Sequence, residues 1–443
     1  MFNAAAGNMC HMEYVEDLLF IISNSVIIIR YGDLEFTCEM CHFGVNIIRH
    51  VRLNNMLCVF LMARDRPNYF MAKITDKSDI KIGDVKVIET NLDYGGIVNM
   101  ILNESHAAIV LENGILYASM IDFINISLNV FEMADVSPGL IIHDADMVND
   151  YELVFIASKC SQPQLYCQDI IQDSMPDEFE IYRFDYSHGG YERSVKSEKT
   201  GRKYKWLRIR VRNQRGIEVF VITGGFAGVR FASGNNFVLQ IDIYDPDNYN
   251  AVIYLGDSSC EWLDMKITPE YMFSFGRKGV NDYIYLFDGY KVTRSSDVKN
   301  ENESESENNN INNDNSDAFV VHENGYAGIN FNYLSQITNT RQFILNDGLN
   351  RLMHIDLDDR DNNNSEHIFT VVIENDRCGL FAVMSYEQKY QFAFAYESFD
   401  GLTLQLIDVK YIDKYDNSNR AHIFKLNDRK TGFNEISTNP VLP

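Results

Sequence analysis

The chain contains one stretch that decides the fold, and it reads Ile101-Leu102-Asn103-Glu104-Ser105-His106-Ala107-Ala108-Ile109-Val110-Leu111-Glu112-Asn113-Gly114-Ile115-Leu116-Tyr117-Ala118. Two apolar runs are joined here by Asn113-Gly114, a two-residue turn that is typical of β-hairpins. The stretch therefore predicts a pair of antiparallel strands.

The same pattern recurs on both sides of this stretch at a nearly constant spacing. One copy lies about 47 to 49 residues earlier, at 53–72, with a turn at Arg66-Pro67-Asn68. Another lies about 46 to 49 residues later, at 148–167, with a turn near Gln162-Pro163 followed by a strand at Leu165–Cys167. A period in the forties that holds only strands is typical of propeller blades.

The fold prediction is an all-β propeller of about seven four-stranded blades, with six to eight as the range and a double β-sandwich as the alternative. We assign residues 1–443 to a single propeller. It carries a basic insert at 173–216 and a disordered loop of Asn, Glu, Ser and Asp at 297–317, whose composition cannot form a packed core. To close the ring, the N-terminal strands and the strands at 402–412 and 420–426 are expected to share one blade.

The stretch that starts at His106 resembles one repeat of the chromosome-condensation-regulator-like (RCC1-like) propellers. The resemblance rests on His106, the apolar run that follows it, the turn Glu112-Asn113-Gly114, and Leu116-Tyr117. The repeat copies on either side lack the histidine and the turn glycine, and Ser119 follows where that family tends to carry a Trp-Gly pair. The resemblance implies a propeller and transfers no activity.

The overall charge and the cysteines restrict the class of protein. The net charge of −24 disfavours a surface that binds nucleic acid or an anionic membrane as a whole. No apolar run approaches the ~20 residues of a membrane span, and we expect no membrane association. The eight cysteines are scattered and no export signal is evident, so we expect reduced thiols and an intracellular protein, cytoplasmic or nuclear.

One segment departs sharply from the acidic character of the chain. Residues 193–215 hold ten Lys or Arg against Glu198 alone, a charge of +9, so the rest of the chain sums to −33. Within the segment, residues 206–212 alternate strictly, which places three apolar residues on one face of a strand and three arginines on the other. We expect an inserted hairpin that projects from the propeller. The candidate partner-binding residues are Lys203, Lys205, Arg208, Arg210 and Arg212; the alternative is that the arginines neutralise the chain's own acidic surface.

Three short motifs resemble metal sites. Cys38-Glu39-Met40-Cys41-His42 matches a haem-attachment signature, and Cys38, Cys41 and His42 are also weak zinc ligands if Cys10 and His11 join them; ordinary core thiols are the favoured interpretation. Residues 354–362 have the oxygen side chains of a calcium loop without its glycine. His143-Asp144-Ala145-Asp146 is interpreted as a capped turn. We therefore predict no cofactor.

The function favoured by these observations is a non-enzymatic propeller that serves as a protein–protein interaction platform in an assembly. We expect a protein partner that is acidic where it meets the basic segment. The first alternative is binding of nucleic acid or another polyanion through 193–215. The second is a propeller hydrolase with an axial site, although the sequence shows no catalytic motif.

Overall fold

The computed structural model describes residues 9–23, 26–39, 47–62, 68–76, 79–82, 86–87, 96–125, 132–159, 178–196, 206–212 and 218–224, then the C-terminal strands given below together with 243–244. These residues are nearly all β, as predicted. The described strands form eight antiparallel sheets of four or five strands, one more than the sequence count of seven and within its range. The chain divides into two compact units, 1–87 with 328–443, and 88–327.

The first unit contains the first, second, seventh and eighth sheets. Sheet 1 is a meander of four strands: β1 Met9–Val15, β2 Leu18–Ser23, β3 Val26–Tyr31 and β4 Leu34–Glu39. Sheet 2 contains β5 Ile47–Leu53, β6 Met56–Met62, β7 Asn68–Asp76, β8 Asp79–Ile82 and β9 Lys86–Val87, with β8 and β9 both paired to β7. The two strands expected in the first repeat copy are thus confirmed as β6 and β7.

The two C-terminal sheets complete this unit. Sheet 7 contains β27 Leu334–Gln336, β28 Gln342–Asn346, β29 Arg351–Asp356 and β30 Phe369–Glu374. Sheet 8 contains β31 Leu380–Tyr386, β32 Lys389–Ser398, β33 Gly401–Val409, β34 Arg420–Leu426 and β35 Phe433–Pro440.

The expectation that the two ends of the chain share a blade is wrong. β1 and β35, neither of which was predicted, give the N-terminal and C-terminal strands a complete sheet each. Sheets 1 and 8 meet face to face instead, because alternate apolar residues of β2 pack with small and apolar residues of sheet 8 such as Ala393 and Leu404. The Tyr14 hydroxyl also donates a hydrogen bond to Gln391 Oε1 at 2.8 Å.

The second unit contains sheets 3 to 6. Sheet 3 contains β10 Ile97–Leu102, β11 His106–Leu111, β12 Gly114–Ser119 and β13 Glu132–Asp135, with a short helix α1 Met120–Asn125 between its last two strands. Sheet 4 contains β14 Leu140–Asn149, β15 Glu152–Lys159, β16 Glu180–Asp185 and β17 Gly190–Lys196.

Sheets 5 and 6 follow along the chain. Sheet 5 contains β18 Trp206–Arg212, β19 Glu218–Gly224, β20 Phe237–Ile241, β21 Ala251–Leu255 and β25 Thr293–Arg294. Sheet 6 contains β22 Glu261–Ile267, β23 Tyr271–Lys278, β24 Asn281–Asp288 and β26 Ala318–Asn324. The predicted low-complexity loop at 297–317 lies outside the described residues.

The deciding hairpin is β11–β12, with a register one residue away from the prediction. Leu111 pairs with Gly114, so Glu112-Asn113 forms the turn and Gly114 begins the next strand. In the later repeat copy, the expected strand at Leu165–Cys167 lies outside the described residues. The strand that pairs with β15 on that side is β16, Glu180–Asp185.

Candidate functional site

The basic strand β18 is part of a sheet and not a projecting hairpin. It pairs with β19 over its whole length, from Trp206 opposite Gly224 to Arg212 opposite Glu218. The predicted alternation is confirmed where the side chains are described, because Leu207 and Ile209 are fully buried. These residues pack with Val148, Val154, Ile156, Phe179, Ile181 and Val219. The strand is therefore held by an apolar core between sheets 4 and 5, which an exposed hairpin would lack.

Two carboxylates of β14 fasten the basic strand to sheet 4. Asp144 Oδ2 accepts hydrogen bonds from the backbone N–H of Ile209 at 3.2 Å and from Arg210 Nη1 at 2.5 Å. Asp146 Oδ2 accepts from the backbone N–H of Val211 at 2.8 Å. We call this group of contacts the charged seam. His143-Asp144-Ala145-Asp146 is thus strand and not a capped turn, and its carboxylates satisfy backbone donors that the neighbouring sheet leaves unpaired.

His143 lies at the same junction and is held neutral. Its Nε2 atom is 2.6 Å from Ser158 Oγ. Burial and, to a smaller extent, the nearby Arg208 guanidinium together lower the pKa of His143 to about 4, against the opposing charge of Asp144. Burial also raises the pKa of Asp146, against the hydrogen bond from Val211 and the charge of Arg210. The junction therefore holds two titratable groups whose charged forms are both disfavoured by desolvation.

The five predicted partner-binding residues fall into different environments. Arg210 forms an internal ion pair with Asp144, whose side chain is only 8% exposed, so the self-neutralising alternative describes this residue. Arg208 is partly buried in the same strand, beside His143. Arg212 ends the strand, and Lys203 and Lys205 lie outside the described residues. The structure therefore brings Arg208 and Arg210 to one face, and the binding role of the set stays a prediction.

The equivalent junction between sheets 3 and 4 uses neutral groups. The side-chain amide of Asn99 donates to the carbonyl of Ala145 at 2.9 Å, and that of Asn103 donates to the carbonyl of Asp150 at 3.0 Å. The Nδ1 atom of His106 lies 3.1 Å from the same Asp150 carbonyl. We call these contacts the neutral seam. These contacts give a structural role to Asn103 and His106, polar residues of the repeat for which the sequence suggested none.

A second polar cluster joins sheet 4 to Tyr244, which follows β20 of sheet 5. The guanidinium carbon of Arg183 lies 4.9 Å from the centre of the Tyr244 ring, and the Tyr244 hydroxyl donates to Glu152 Oε2 at 2.9 Å. Arg183 also donates to Glu152 Oε1 at 3.2 Å and to Glu192 Oε2 at 3.1 Å. Sequence reasoning missed this cluster, because Glu152 and Tyr244 are 92 residues apart and no local motif connects them.

A serine, a histidine and an aspartate meet at the turn between β16 and β17, but they do not form a catalytic triad. Ser187 Oγ donates to Asp185 Oδ1 at 2.6 Å and lies 2.7 Å from His188 Nδ1. The same Nδ1 atom lies 3.3 Å from Asp185 Oδ2. A triad needs the serine and the aspartate on opposite ring nitrogens, so that the imidazole can carry the proton between them. This group instead stabilises an exposed turn.

The candidate metal ligands are not brought together in the part of the chain that the structure describes. Cys38 lies in β4, whereas Cys41 and His42 fall outside the described residues. The calcium-loop candidate begins inside β29, and 357–362 fall outside as well. Across the described ranges, no group of three or more His, Cys, Asp and Glu side chains is placed to hold a metal ion. Within the same ranges, no helix is long and apolar enough to cross a membrane.

Comparisons with known proteins support the fold and no family. No family model matches the sequence, and no curated protein matches it. Among solved structures, the C-terminal WD40 domain of Sif2 is similar with a TM-score of 0.50 at 9% identity, covering 90% of this chain and 95% of that one. The fold is a β-propeller. The resemblance to the RCC1-like family stays a prediction.

Other solved structures are similar at lower scores. Hsv2 from Kluyvelomyces marxianus has a TM-score of 0.45 at 9% identity, covering 83% of this chain and 98% of that one. Oligopeptidase B from Trypanosoma brucei, with covalently bound antipain, has a TM-score of 0.47 at 11% identity and covers 92% of this chain and 54% of that one. Likenesses at these scores carry no argument about this chain.

Proposed function

We propose that this propeller is a non-enzymatic platform for protein–protein interaction in an assembly. The observation that carries the proposal is the charged seam. Its motif His143-Asp144-Ala145-Asp146 has the residue types of a reactive site, but its carboxylates hold sheets 4 and 5 together. Sheets fixed in this way present their turns on a rigid support, an arrangement that suits recognition.

The proposed contact for an acidic partner protein is the basic segment 193–215. Its candidate residues are Lys203, Lys205, Arg208 and Arg212, because a guanidinium or ammonium group can pair with a partner's carboxylate. Arg210 is reassigned to a supporting role, since Asp144 already takes its charge. Reversing Arg210 would disturb folding and binding together, so it is a poor probe of the contact.

The test is a capture experiment with the intact chain and the double variant Lys203→Glu/Lys205→Glu. We expect the wild-type chain to retain an acidic protein, identified by mass spectrometry, and the variant to lose it. The matched control is Arg49→Glu/Arg52→Glu, which makes the same change of charge on β5 and should retain the partner. Equal capture by both variants would overturn the assignment of the basic segment.

Nucleic-acid binding through the same segment is one outcome of this experiment. If DNA or RNA retains the wild-type protein at ~0.1 M salt and does not retain Lys203→Glu/Lys205→Glu, the partner of the basic segment is a polyanion and not an acidic protein. The hydrolase alternative is tested with a serine-directed fluorophosphonate probe. Labelling of Ser187 or another serine at stoichiometric level would contradict the non-enzymatic proposal.

A further inference from the structure

A buried carboxylate of sheet 4 gathers two cationic side chains around one of its oxygens. Glu180 is only 3% exposed, and its Oε1 atom lies 3.8 Å from Lys159 Nζ and 3.5 Å from Arg193 Nη1. Both cations remain accessible to solvent, since the Lys159 side chain is 58% exposed and that of Arg193 is 53% exposed. We call Lys159, Glu180, Tyr182 and Arg193 the Glu180 cluster.

The strand register of sheet 4 places the members of this cluster on one face. On one side, Glu180 of β16 lies opposite Ala157 of β15. On the other side, Tyr182 of β16 lies opposite Arg193 of β17. Side chains at opposite positions, and at positions two residues apart along a strand, share a face of the sheet. Lys159 lies two positions after Ala157, so the whole cluster is on the face that packs against sheet 3 through Tyr182.

The floor of the cluster is rigid. The Tyr182 hydroxyl donates a hydrogen bond to Glu180 Oε2, which leaves Oε1 facing the two cations. The Tyr182 ring stacks on Phe155 with ring centres 5.1 Å apart, and it meets the ring of Tyr191 edge-on at 5.6 Å. Burial and the contact with Glu180 raise the pKa of Tyr182, so its hydroxyl keeps its proton. The apolar core therefore holds Glu180 in one position before any partner arrives.

The two cations lie close to Glu180 but keep hydrogen-bond donors for a ligand. Among the described residues, no donor forms a hydrogen bond with Glu180 Oε1. Lys159 and Arg193 each carry several N–H groups, and one buried carboxylate faces both of them, which leaves a local charge of +1. The neighbouring Glu192 does not cancel this charge, because it lies on the opposite face of β17, where it pairs with Arg183.

We infer that Lys159 and Arg193 bind a carboxylate of an acidic partner protein. The two oxygens of one carboxylate can accept hydrogen bonds from both cations together, since both already converge on Glu180 Oε1. The single negative charge of this carboxylate balances the local charge of +1. The inference rests on the proposed function, because Arg193 is the first residue of the basic segment 193–215, and it adds Lys159 to the contact.

The test measures binding of a fluorescently labelled peptide of alternating glutamate and glycine to the full chain, by fluorescence anisotropy at low salt. A chain of charge −24 repels such a peptide, so binding requires a local positive site. We expect Arg193→Gln to weaken binding by about tenfold and Lys159→Gln by about threefold. Arg193→Lys keeps the charge but loses the planar guanidinium, and it should weaken binding by about threefold. No measurable binding by the wild-type chain would overturn the inference.

The variant Glu180→Gln should have the opposite effect. Gln keeps an acceptor for the Tyr182 hydroxyl but removes the charge that competes with the peptide for both cations, so we expect about tenfold tighter binding. Glu104→Gln is the matched control, because it removes an exposed carboxylate from the turn between β10 and β11, and it should leave the affinity unchanged. Unchanged or weaker binding by Glu180→Gln would contradict the inference.

Arg52→Gln is the matched control for Arg193→Gln. The Arg52 side chain is 50% exposed and also pairs with a glutamate, but its guanidinium donates hydrogen bonds to both carboxylate oxygens of Glu16. Because these donors are already used, we expect Arg52→Gln to bind the peptide with wild-type affinity. Equal losses of affinity for Arg52→Gln and Arg193→Gln would mean that only the overall charge matters, and the inference would fail.

The same peptide separates this inference from the proposed function. If Lys203→Glu/Lys205→Glu loses the peptide while the Lys159 and Arg193 variants keep it, the inference fails and the proposed contact of the basic segment stands. If only the Lys159 and Arg193 variants lose the peptide, the inference stands and the contact at Lys203 and Lys205 fails.

Discussion

Both seams join sheet 4 to a neighbouring sheet through polar contacts, but they use different chemical groups. On the side of sheet 3, β14 and the turn that follows it offer backbone carbonyls, those of Ala145 and Asp150, to the neutral side chains Asn99, Asn103 and His106. On the side of sheet 5, it offers the carboxylates of Asp144 and Asp146 to backbone N–H groups and to Arg210. β14 and its turn therefore provide acceptors on both sides, main-chain carbonyls toward sheet 3 and side-chain carboxylates toward sheet 5.

The difference between the seams lies in what happens when a partner is removed or a proton is added. An amide that loses its carbonyl partner leaves a neutral group to be solvated. Removing Asp144 from the charged seam leaves the buried N–H group of Ile209 without its acceptor and the Arg210 guanidinium without its carboxylate counter-charge, and that costs more. We therefore expect the charged seam to be the more vulnerable of the two, both to substitution and to acid.

The largest expected effect is that of Asp144→Ala. The substitution removes the acceptor of both Ile209 N–H and Arg210, so we expect the free energy of unfolding to fall by about 3 to 5 kcal/mol. Chemical denaturation followed by intrinsic fluorescence measures the change. Asp150→Ala is the control, since the neutral seam uses only the backbone carbonyl of that exposed residue, and it should cost less than about 0.5 kcal/mol. Equal losses would mean that Asp144 contributes no more than a surface carboxylate.

The next effect is a dependence on pH that only the charged seam should show. The pKa of His143 is about 4 in the folded chain and 6.5 ordinarily, so the unfolded chain takes up a proton first as the pH falls. The contribution of His143 is complete above pH 6.5 and declines down to about pH 4, by on the order of 3 kcal/mol. Asp146 acts in the opposite sense, because its raised pKa favours proton uptake by the folded chain.

The variant His143→Gln isolates this contribution. Gln can still hydrogen-bond to Ser158 but does not titrate. We expect melting temperatures measured between pH 7 and pH 4 to fall less steeply for the variant than for the wild type. Parallel curves would show that His143 in the folded chain keeps its ordinary pKa of 6.5 and makes no contribution of this kind.

A smaller loss is expected from the neutral seam. Asn103 Oδ1 accepts hydrogen bonds from the N–H groups of Ser105 and His106, and its amide donates to Asp150. Asn103→Ala removes all three, and we expect a cost of about 2 kcal/mol. Asn103→Asp keeps the acceptor and loses only the donor, so it should fall between Ala and the wild type. The ratio of the Asp144→Ala loss to the Asn103→Ala loss compares the seams directly, and a ratio below one would contradict our ranking.

The seams also show which parts of the structure the sequence could predict. The strands of the repeat copies followed from local signals, since apolar runs and turn residues act over a few positions. The partners of Asn99, Asp144 and Arg210 did not, because these contacts join residues 46 to 66 positions apart. The basic strand illustrates the limit. The alternation of apolar and charged residues was predicted correctly. The prediction of a projecting hairpin was wrong because it gave more weight to the charged residues than to the apolar face, which buries Leu207 and Ile209 inside a blade.

The basic segment and the polar cluster around Arg183 differ in how far the sequence reveals them. The basic segment is visible in the sequence because like charges cluster along the chain, although Arg210 is used internally. The cluster of Glu152, Arg183, Glu192 and Tyr244 could not be found in the sequence, because its residues come from four separate segments of the chain and none of them is unusual by itself. The composition of the sequence reveals a surface whose residues are neighbours along the chain. A surface whose residues are brought together by folding can be recognised only in the structure.

The smallest expected effect separates the two carboxylates of the charged seam from each other. Asp146 accepts from the N–H groups of Met147 and Val211, and burial raises its pKa, so its negative charge is a burden in the folded chain. Asp146→Asn removes the charge and keeps one acceptor oxygen, and we expect a change within about 1 kcal/mol of the wild type. Asp144→Asn makes the same substitution opposite Arg210 and should cost clearly more, because it removes the partner of a charge. Denaturation of the two variants at pH 7 provides the comparison. Equal costs would mean that the hydrogen bonds to the β18 backbone, and not the ion pair, hold sheets 4 and 5 together.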